Sequence, residues 1–150
     1  MSEIAIVSEA DLPELLPLMR AYCDFYGSHP SDEALLQMSR SLLANPEYEG
    51  VQLIARKNGA PVGFATIFWT WSTNSAARVG TMNDLFVVPG ARGGGYAEKL
   101  IRACVERARE RGAVRLEWQT ALDNRRAQAV YERVGGKREQ WLDYSLPAGG

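Results

Sequence analysis

The chain has 150 residues, of which 46% are hydrophobic and 23% are charged, and its formal net charge is −1 at pH 7. These values are typical of a globular protein and exclude an intrinsically disordered chain. No apolar run approaches the roughly 18 residues of a membrane span and no secretory signal opens the chain, so we expect a cytoplasmic protein without a membrane partner. The two isolated cysteines, Cys23 and Cys104, are too few for a disulfide framework or a metal site.

The charge is distributed unevenly along the chain. Residues 1–90 carry five Lys or Arg and ten Asp or Glu, whereas residues 91–138 carry twelve Lys or Arg and six Asp or Glu. A basic half suits a polyanionic cofactor, and an acidic half suits a cationic substrate. The chain as a whole has no basic excess, which argues against a nucleic-acid partner.

The first half of the chain predicts a strand, two helices and a β-hairpin. The helices are indicated by apolar residues at helical spacing and the strands by apolar runs bounded by turn residues. Asn58-Gly59 is typical of a tight hairpin turn. In chain order, these elements are a strand, two helices and two strands over residues 2–8, 12–26, 31–44, 51–56 and 61–72.

The second half predicts three more strands that alternate with two helices. In chain order they cover residues 78–88, 96–111, 114–120, 125–134 and 137–146. The complete order is β-α-α-β-β-β-α-β-α-β. It predicts one domain over residues 1–150, an α/β fold in which a mixed sheet carries helices on both faces.

The segment from Asp84 to Leu100, DLFVVPGARGGGYAEKL, predicts a strand, a glycine-rich loop and a helix in succession. Glycines let several backbone N–H groups turn toward one point, and the helix start adds partial positive charge. With Arg92 beside them, these groups predict a site for an anion such as phosphate rather than an ordinary tight turn. A dinucleotide-binding fingerprint does not fit, because residues 89–91 separate the strand from the glycines. A P-loop would need Gly-Lys-Ser/Thr, which is absent.

Arg92, Gly95 and Ala97 form the pattern Arg-x-x-Gly-x-Ala. This pattern resembles the pyrophosphate loop, Gln/Arg-x-x-Gly-x-Gly/Ala, of the GNAT superfamily of acyl-CoA-dependent N-acetyltransferases. The resemblance extends to Asn124 and Tyr131, and the order of elements is also the GNAT order. It implies a mostly antiparallel, twisted sheet, acetyl-CoA as co-substrate, no metal and, as in many relatives, a homodimer.

The resemblance also implies roles for individual residues. Asn124 would hydrogen-bond acetyl-CoA near its pantetheine arm, and Tyr131 would protonate the departing thiolate. Seven positions are close to two helical turns, so these two side chains share one helix face. In the family, the strand before the loop carries a bulge and splays from its neighbour, which frees backbone groups for the thioester. The implied cofactor contacts are Leu85, Phe86, Val87, Arg92, Gly93, Gly94, Gly95, Tyr96, Ala97, Asn124 and Tyr131.

The position of the family's general base carries a different residue here. Asn83-Asp84-Leu85 resembles the polyamine-acetylating branch, in which a Glu-Asp pair commonly precedes this strand core. Asn83 replaces the glutamate, and an amide cannot accept a proton. Asp84 is therefore the nearest candidate for the catalytic base or for an anchor of a cationic substrate. The other candidates are Glu33, Asp24 and Glu117.

Aromatic and acidic residues predict the substrate side of the site. The candidates are Tyr26, His29, Trp71 and Asp84, because aromatic faces and carboxylates both attract ammonium groups. Together with the resemblance, they predict direct acetyl transfer, in a ternary complex, to the primary amine of a polyamine-like or amino-sugar molecule. Two alternatives stay open: a protein or peptide N-acetyltransferase, and a non-catalytic acyl-CoA-binding regulatory module.

Overall fold

The computed structural model describes residues 3–149, so residue 2 of the predicted first strand lies outside it. Within this range, strands and helices follow one another in the predicted order as far as the last helix. Their bounds are β1 (Ile4–Ile6), α1 (Leu12–Phe25), α2 (Asp32–Ala44), β2 (Gly50–Lys57), β3 (Ala60–Ser72), β4 (Ala77–Val87), α3 (Tyr96–Glu110), β5 (Leu116–Glu117) and α4 (Arg125–Arg133). None of the helices described here is long and apolar enough to cross a membrane.

The five strands form one sheet in the order β1-β2-β3-β4-β5. The first three pairings are antiparallel, and only β4 and β5 run parallel. Short turns join β2, β3 and β4, whereas the parallel pair is connected through α3, as a crossover requires. These features confirm the predicted mixed, mostly antiparallel α/β sheet.

Helices cover both faces of the sheet, as predicted. On one face, α1 and α2 bury a cluster that includes Leu15 and Phe64. On the other face, α3 buries Leu100 and Cys104 against β2, β3 and β4. Alternating strand residues point to opposite faces, so β2, β3 and β4 each supply side chains to both clusters. Burying each large aliphatic or aromatic side chain contributes about 1.5–3 kcal/mol to stability, which anchors the helices on the sheet.

A β-bulge in β4 bends the strand in the middle of the sheet. Thr66 pairs with Asp84, but the next pair is Ile67 with Met82, so Asn83 has no residue opposite it. An extra residue of this kind bends its strand and increases the local twist. The bulge lies in the strand that precedes the glycine loop, where the resemblance implies one.

The pairing of β4 with β5 is very short. They pair only at Gly80 with Leu116 and Thr81 with Glu117, although a strand is predicted over residues 114–120. Residues 85–87 of β4 therefore have no β5 neighbour among residues 3–149, which leaves backbone groups on that side unpaired in the sheet. We call the space between residues 84–87 and residues 118–124 the β4–β5 cleft.

The prediction of a final strand over residues 137–146 is wrong. The chain after α4 has no regular structure as far as residue 149, and Trp141, Leu142, Tyr144 and Leu146 are all exposed. The alternation of Leu142, Tyr144 and Leu146 is typical of a strand, but a strand needs a neighbour to pair with. Side-chain contacts such as Gln119 Nε2 to Asp143 at 3.0 Å hold the segment instead.

Candidate active site

The glycine loop, residues 92–95, turns unpaired backbone N–H groups toward solvent at the start of α3. Gly93 and Gly95 have φ of +87° and +82°, a left-handed conformation that strains any residue with a Cβ. The amides of residues 93 and 95–98 have no acceptor within residues 3–149, whereas Gly94 N donates to Ala91 O at 3.3 Å. The helix dipole adds partial positive charge at the same place. These donors fit a phosphate or diphosphate anion.

Arg92 links the loop to the end of β4. Its Nε donates to the carbonyl oxygen of Val87 at 3.1 Å, which holds the guanidinium beside the loop. The side chain of the neighbouring Tyr96 packs into the protein. Its ring is buried, and its hydroxyl lies 3.4 Å from Glu3 Oε1. Tyr96 and Ala97 are predicted to contact the cofactor, and their backbone N–H groups are the atoms available for that contact.

Asn124 begins α4, and its side-chain oxygen accepts from Ala127 N at 3.2 Å. The cap uses only Oδ1, so the two donors on Nδ2 have no protein acceptor within the described part of the chain. Asn124 therefore combines a structural cap with a free donor at the β4–β5 cleft.

Tyr131 lies two turns further along α4, with its ring half-buried against Trp118. The ring centroids are 5.3 Å apart at an interplanar angle of 72°. The Tyr131 hydroxyl hydrogen-bonds to Thr120, which follows β5. Burial raises the pKa of Tyr131, the nearby Tyr26 adds to the rise, and the Thr120 hydrogen bond opposes it. Tyr131 therefore keeps its proton throughout the neutral pH range, as a general acid must.

Asp84 is the buried carboxylate of the site, with only 6% of its surface exposed. Asn83 Nδ2 donates to its Oδ1 at 2.9 Å, Thr66 lies directly opposite it on β3, and the hydroxyl groups of Thr66 and Tyr22 are further donors that stabilise its charged form. Burial raises the pKa of Asp84, and these three hydrogen bonds partly oppose the rise because they stabilise the carboxylate. A raised pKa brings a carboxylate closer to the value that suits a general base near neutral pH.

The structure brings Tyr26 to this region, whereas Trp71 lies far from it and His29 contacts only Asp24 among residues 3–149. The ring of Tyr26 lies 4.9 Å from that of Tyr22, and Tyr26 is 62% exposed. Trp71 stacks on the Arg78 guanidinium at 4.7 Å, next to the turn that joins β3 to β4. This position is about 20 Å along β4 from the Asp84 carboxylate. His29 is exposed, with Nδ1 3.7 Å from Asp24 Oδ1.

The other candidate bases are exposed. Asp24 faces His29, Glu117 pairs with Arg115 at 2.9 Å, and Glu33 lies in the first turn of α2. Of the four candidates, Asp84 alone is buried, and it lies at the bulge beside the β4–β5 cleft.

Sequence reasoning missed Thr66, Gln52 and Thr120, which surround the predicted residues. Each is a single polar residue within or after a predicted strand, and nothing in its spacing indicates a role. Only the pairing register of β2, β3 and β4 brings Gln52 and Thr66 to Asp84. A single polar residue in a strand is common, so the sequence pattern alone carries no signal that these three residues lie near the site.

Comparisons with known proteins show the family and the fold. The model of the acetyltransferase (GNAT) family matches residues 14–136. The uncharacterized N-acetyltransferase YhfO of Bacillus subtilis (strain 168) is 36% identical over 126 residues, which cover 84% of this chain and 83% of YhfO. Thialysine N-epsilon-acetyltransferase of Caenorhabditis elegans is 27% identical over 96% of this chain and 91% of its own length. A crystal structure of a probable acetyltransferase superposes with a TM-score of 0.85 at 30% identity, covering 99% of both chains.

Proposed function

Because the chain belongs to the GNAT family of N-acetyltransferases, acyltransferases that use acetyl-CoA, we propose that it acetylates the primary amine of a small polyamine-like or amino-sugar molecule. The amine would attack the thioester directly in a ternary complex. One observation carries the proposal: the amides of residues 93 and 95–98, which follow the β4 residues 85–87 that have no β5 partner, are without an acceptor within residues 3–149.

The free donors fit acetyl-CoA, which supplies the acetyl group as a thioester when it is bound. The amides at the start of α3 would hold the diphosphate, with Arg92 adding a full charge. The backbone of Leu85, Phe86 and Val87 would hold the pantetheine arm and the thioester carbonyl, because β5 leaves that edge unpaired. Asn124 Nδ2 would donate to the same arm. A preorganised donor at the thioester oxygen stabilises the charge that develops there.

Proton transfer explains the need for Asp84 and Tyr131. A lysine-like amine has a pKa of about 10.4, so only about one molecule in 2,500 is neutral near pH 7, a cost of roughly 4.6 kcal/mol. The Asp84 carboxylate would take the amine proton, directly or through a water. The Tyr131 hydroxyl would give its proton to the departing sulfur, which otherwise leaves as a thiolate with a pKa near 8.5 if it resembles cysteine.

The cysteines support direct transfer rather than a covalent acyl-enzyme. Cys23 and Cys104 are both free and buried. Burial raises the pKa of Cys104 to about 12, which keeps it from acting as a thiolate nucleophile at neutral pH. Free thiols also suit a reducing compartment, and we place the enzyme in the cytoplasm as part of the proposal, with residues 1–150 acting as one catalytic domain.

The preference for a small cationic amine is supported by the acceptor side of the cleft. Asp84 supplies negative charge, and the exposed ring of Tyr26 lies nearby, where an ammonium group would gain about 0.5–2 kcal/mol from an aromatic face. The relative from Caenorhabditis elegans is named for thialysine, itself a small amine.

A free-thiol release assay with acetyl-CoA tests the proposed function. The amine panel contains polyamines, amino sugars, and peptides with a free N-terminus or a lysine. We expect thiol release above the amine-free background with at least one small amine. Release with peptides alone would contradict the small-molecule assignment, and no release with any amine would favour the non-catalytic binding module.

Arg92→Ala is expected to weaken CoA binding about tenfold or more, because a charged donor at the diphosphate is lost. The loss should shrink as salt rises, since salt screens exposed charges. Isothermal titration calorimetry at several salt concentrations measures both effects. Arg109→Ala is the matched control, because it removes the same charge from the last turn of α3, far from the loop. Equal losses in the two variants would contradict a diphosphate at the loop.

We also propose a homodimer, formed through the segment after α4. Trp141 is 77% exposed and Tyr144 is 89% exposed, and β5 leaves the sheet with an open edge. An exposed apolar segment beside an open sheet edge suits contact with a second copy of this chain. Sedimentation velocity should give twice the chain mass of 16.6 kDa, and Trp141→Ser should give monomers. Trp71→Ser, which removes an exposed tryptophan elsewhere, should leave the dimer intact; a monomeric wild-type protein would contradict the proposal.

A further inference from the structure

Four buried polar side chains line up across the sheet and end at Asp84. Within residues 3–149, the buried polar or charged residues are Ser39, Gln52, Thr66 and Asp84. They come from α2, β2, β3 and β4 respectively. Ser39 and Gln52 both contact the Met19 sulfur, Gln52 also contacts Thr66, and Thr66 lies opposite Asp84 in the sheet. None of their buried polar atoms lacks a partner. Polar groups in a core are costly unless they are paired, so a connected set is a distinct feature.

The contacts fix the direction in which Thr66 donates. Gln52 Nε2 lies 3.1 Å from Thr66 Oγ1, and an amide nitrogen can only donate, so the Thr66 oxygen accepts this bond. The Thr66 hydroxyl hydrogen is therefore available for the carboxyl of Asp84, the residue opposite it in the sheet. The outer end of the chain is weaker, because the second contact of Gln52 Nε2 and the contact of Ser39 Oγ are both made to the Met19 sulfur, at 3.7 and 3.6 Å.

The groups that face the Asp84 carboxyl are all hydrogen-bond donors without a formal charge. Thr66 approaches from β3, Asn83 from the bulge of β4 and Tyr22 from α1. The Tyr22 ring packs against Phe86 at 6.3 Å and Phe64 at 5.9 Å, which fixes the position of its hydroxyl. Asp84 forms no ion pair within residues 3–149, so the carboxylate depends on these donors for its orientation and for its charge.

We propose that Thr66 is a positioning residue for acetyl transfer, and that Gln52 aims the Thr66 hydroxyl at the Asp84 carboxylate. The inference rests on the proposed function, in which Asp84 accepts the amine proton. Thr66 touches neither the acceptor nor acetyl-CoA in this account and acts only through Asp84. It keeps one carboxylate oxygen oriented and stabilises the ionised form, which a hydrogen bond to a carboxylate favours.

The pH dependence of kcat/KM for the amine tests this inference, because the ionised carboxylate is the active form. Thr66→Val keeps the side-chain shape but removes a donor that lowers the pKa of Asp84. We expect the acid limb of the profile to move up by about one pH unit, a tenfold loss of kcat/KM below that limb. Gln52→Met should move the limb in the same direction, and Thr66→Ser should restore it.

Ser39→Ala is the matched control, because it removes a buried hydroxyl from the same chain without touching Thr66. Its acid limb should coincide with that of the wild type. The inference is overturned if Thr66→Val or Gln52→Met leaves the limb in place, or if Ser39→Ala moves it equally. Should Thr66→Val fail to fold, Gln52→Met decides. Asp84→Asn separates the two levels: an unchanged profile in that variant overturns the proposed base itself.

Discussion

Tyr131→Phe is expected to lower kcat by about 10²–10³-fold while CoA binds with nearly wild-type affinity, because only the proton donor is removed. The phenylalanine ring keeps the edge contact with Trp118, so the fold of α4 against the sheet is retained. The hydroxyl that hydrogen-bonds to Thr120 is lost, and the departing sulfur must leave without a proton. Steady-state thiol release and calorimetry with CoA measure the two quantities separately.

The pH profile adds a second signature of this acid. Burial raises the pKa of Tyr131 above its ordinary value of 10.0, so wild-type kcat should fall only above that value, as the hydroxyl ionises. That basic limb should be missing in Tyr131→Phe. Tyr144→Phe removes a hydroxyl from an exposed tail residue and should leave kcat and the profile unchanged. A Tyr131→Phe enzyme within about twofold of wild-type kcat would contradict the assignment.

Asp84→Asn is expected to lower kcat/KM by about 10²–10³-fold, because an amide cannot accept the amine proton. The Asn side chain has nearly the same shape, and its oxygen can still accept from Thr66 and Tyr22. Asp24→Asn is the matched control, because Asp24 is an exposed carboxylate at the end of α1 beside the same region. The assignment of the base fails if Asp84→Asn retains full activity, or if the control loses as much.

Asp84→Asn should lower activity but should not lower the stability of the fold. Burial raises the folded-state pKa of Asp84 above 3.8, its value in the unfolded chain. The folded protein therefore binds more protons than the unfolded chain between the two values, and stability falls as pH rises through that window. Above the folded-state pKa the full cost of the buried charge is present. The free energy of unfolding of Asp84→Asn at pH 7 should therefore equal or exceed that of the wild type.

Urea denaturation from pH 3 to pH 8 measures this difference. The advantage of Asp84→Asn should shrink as pH falls and vanish below about pH 3.8, where Asp84 is protonated in both states. A variant that is less stable than the wild type at pH 7 would show that the ionised carboxylate stabilises the fold, contrary to its burial.

The elements that could be predicted from the sequence are those with strong local signals. Apolar residues at helical spacing place α3 correctly, and Asn58-Gly59 marks the hairpin of β2 and β3. Gly93 and Gly95 adopt the positive φ that their residue type permits, so the loop geometry also follows from local chemistry. The prediction of a final strand over residues 137–146 is wrong because pairing is not a local property. Leu142 and Tyr144 alternate as strand residues do, but local pattern cannot say whether a partner strand lies within reach.

The site depends more on register than on local pattern. Asp84 could be singled out from the sequence, yet its burial follows from the bulge at Asn83 and the packing of Tyr22 over it. Thr66 and Gln52 belong to other strands and meet Asp84 only through the pairing of three strands. Trp71 shows the reverse case, since a residue chosen for its chemistry lies far along the hairpin against Arg78.

A crystal structure of the protein with CoA would show directly whether the glycine loop binds the diphosphate. We expect diphosphate oxygens within about 2.7–3.2 Å of the amides of residues 93 and 95–98, and the sulfur beside the Tyr131 hydroxyl in the β4–β5 cleft. A diphosphate bound away from those amides, or a sulfur on the far side of the sheet from Tyr131, would contradict this expectation.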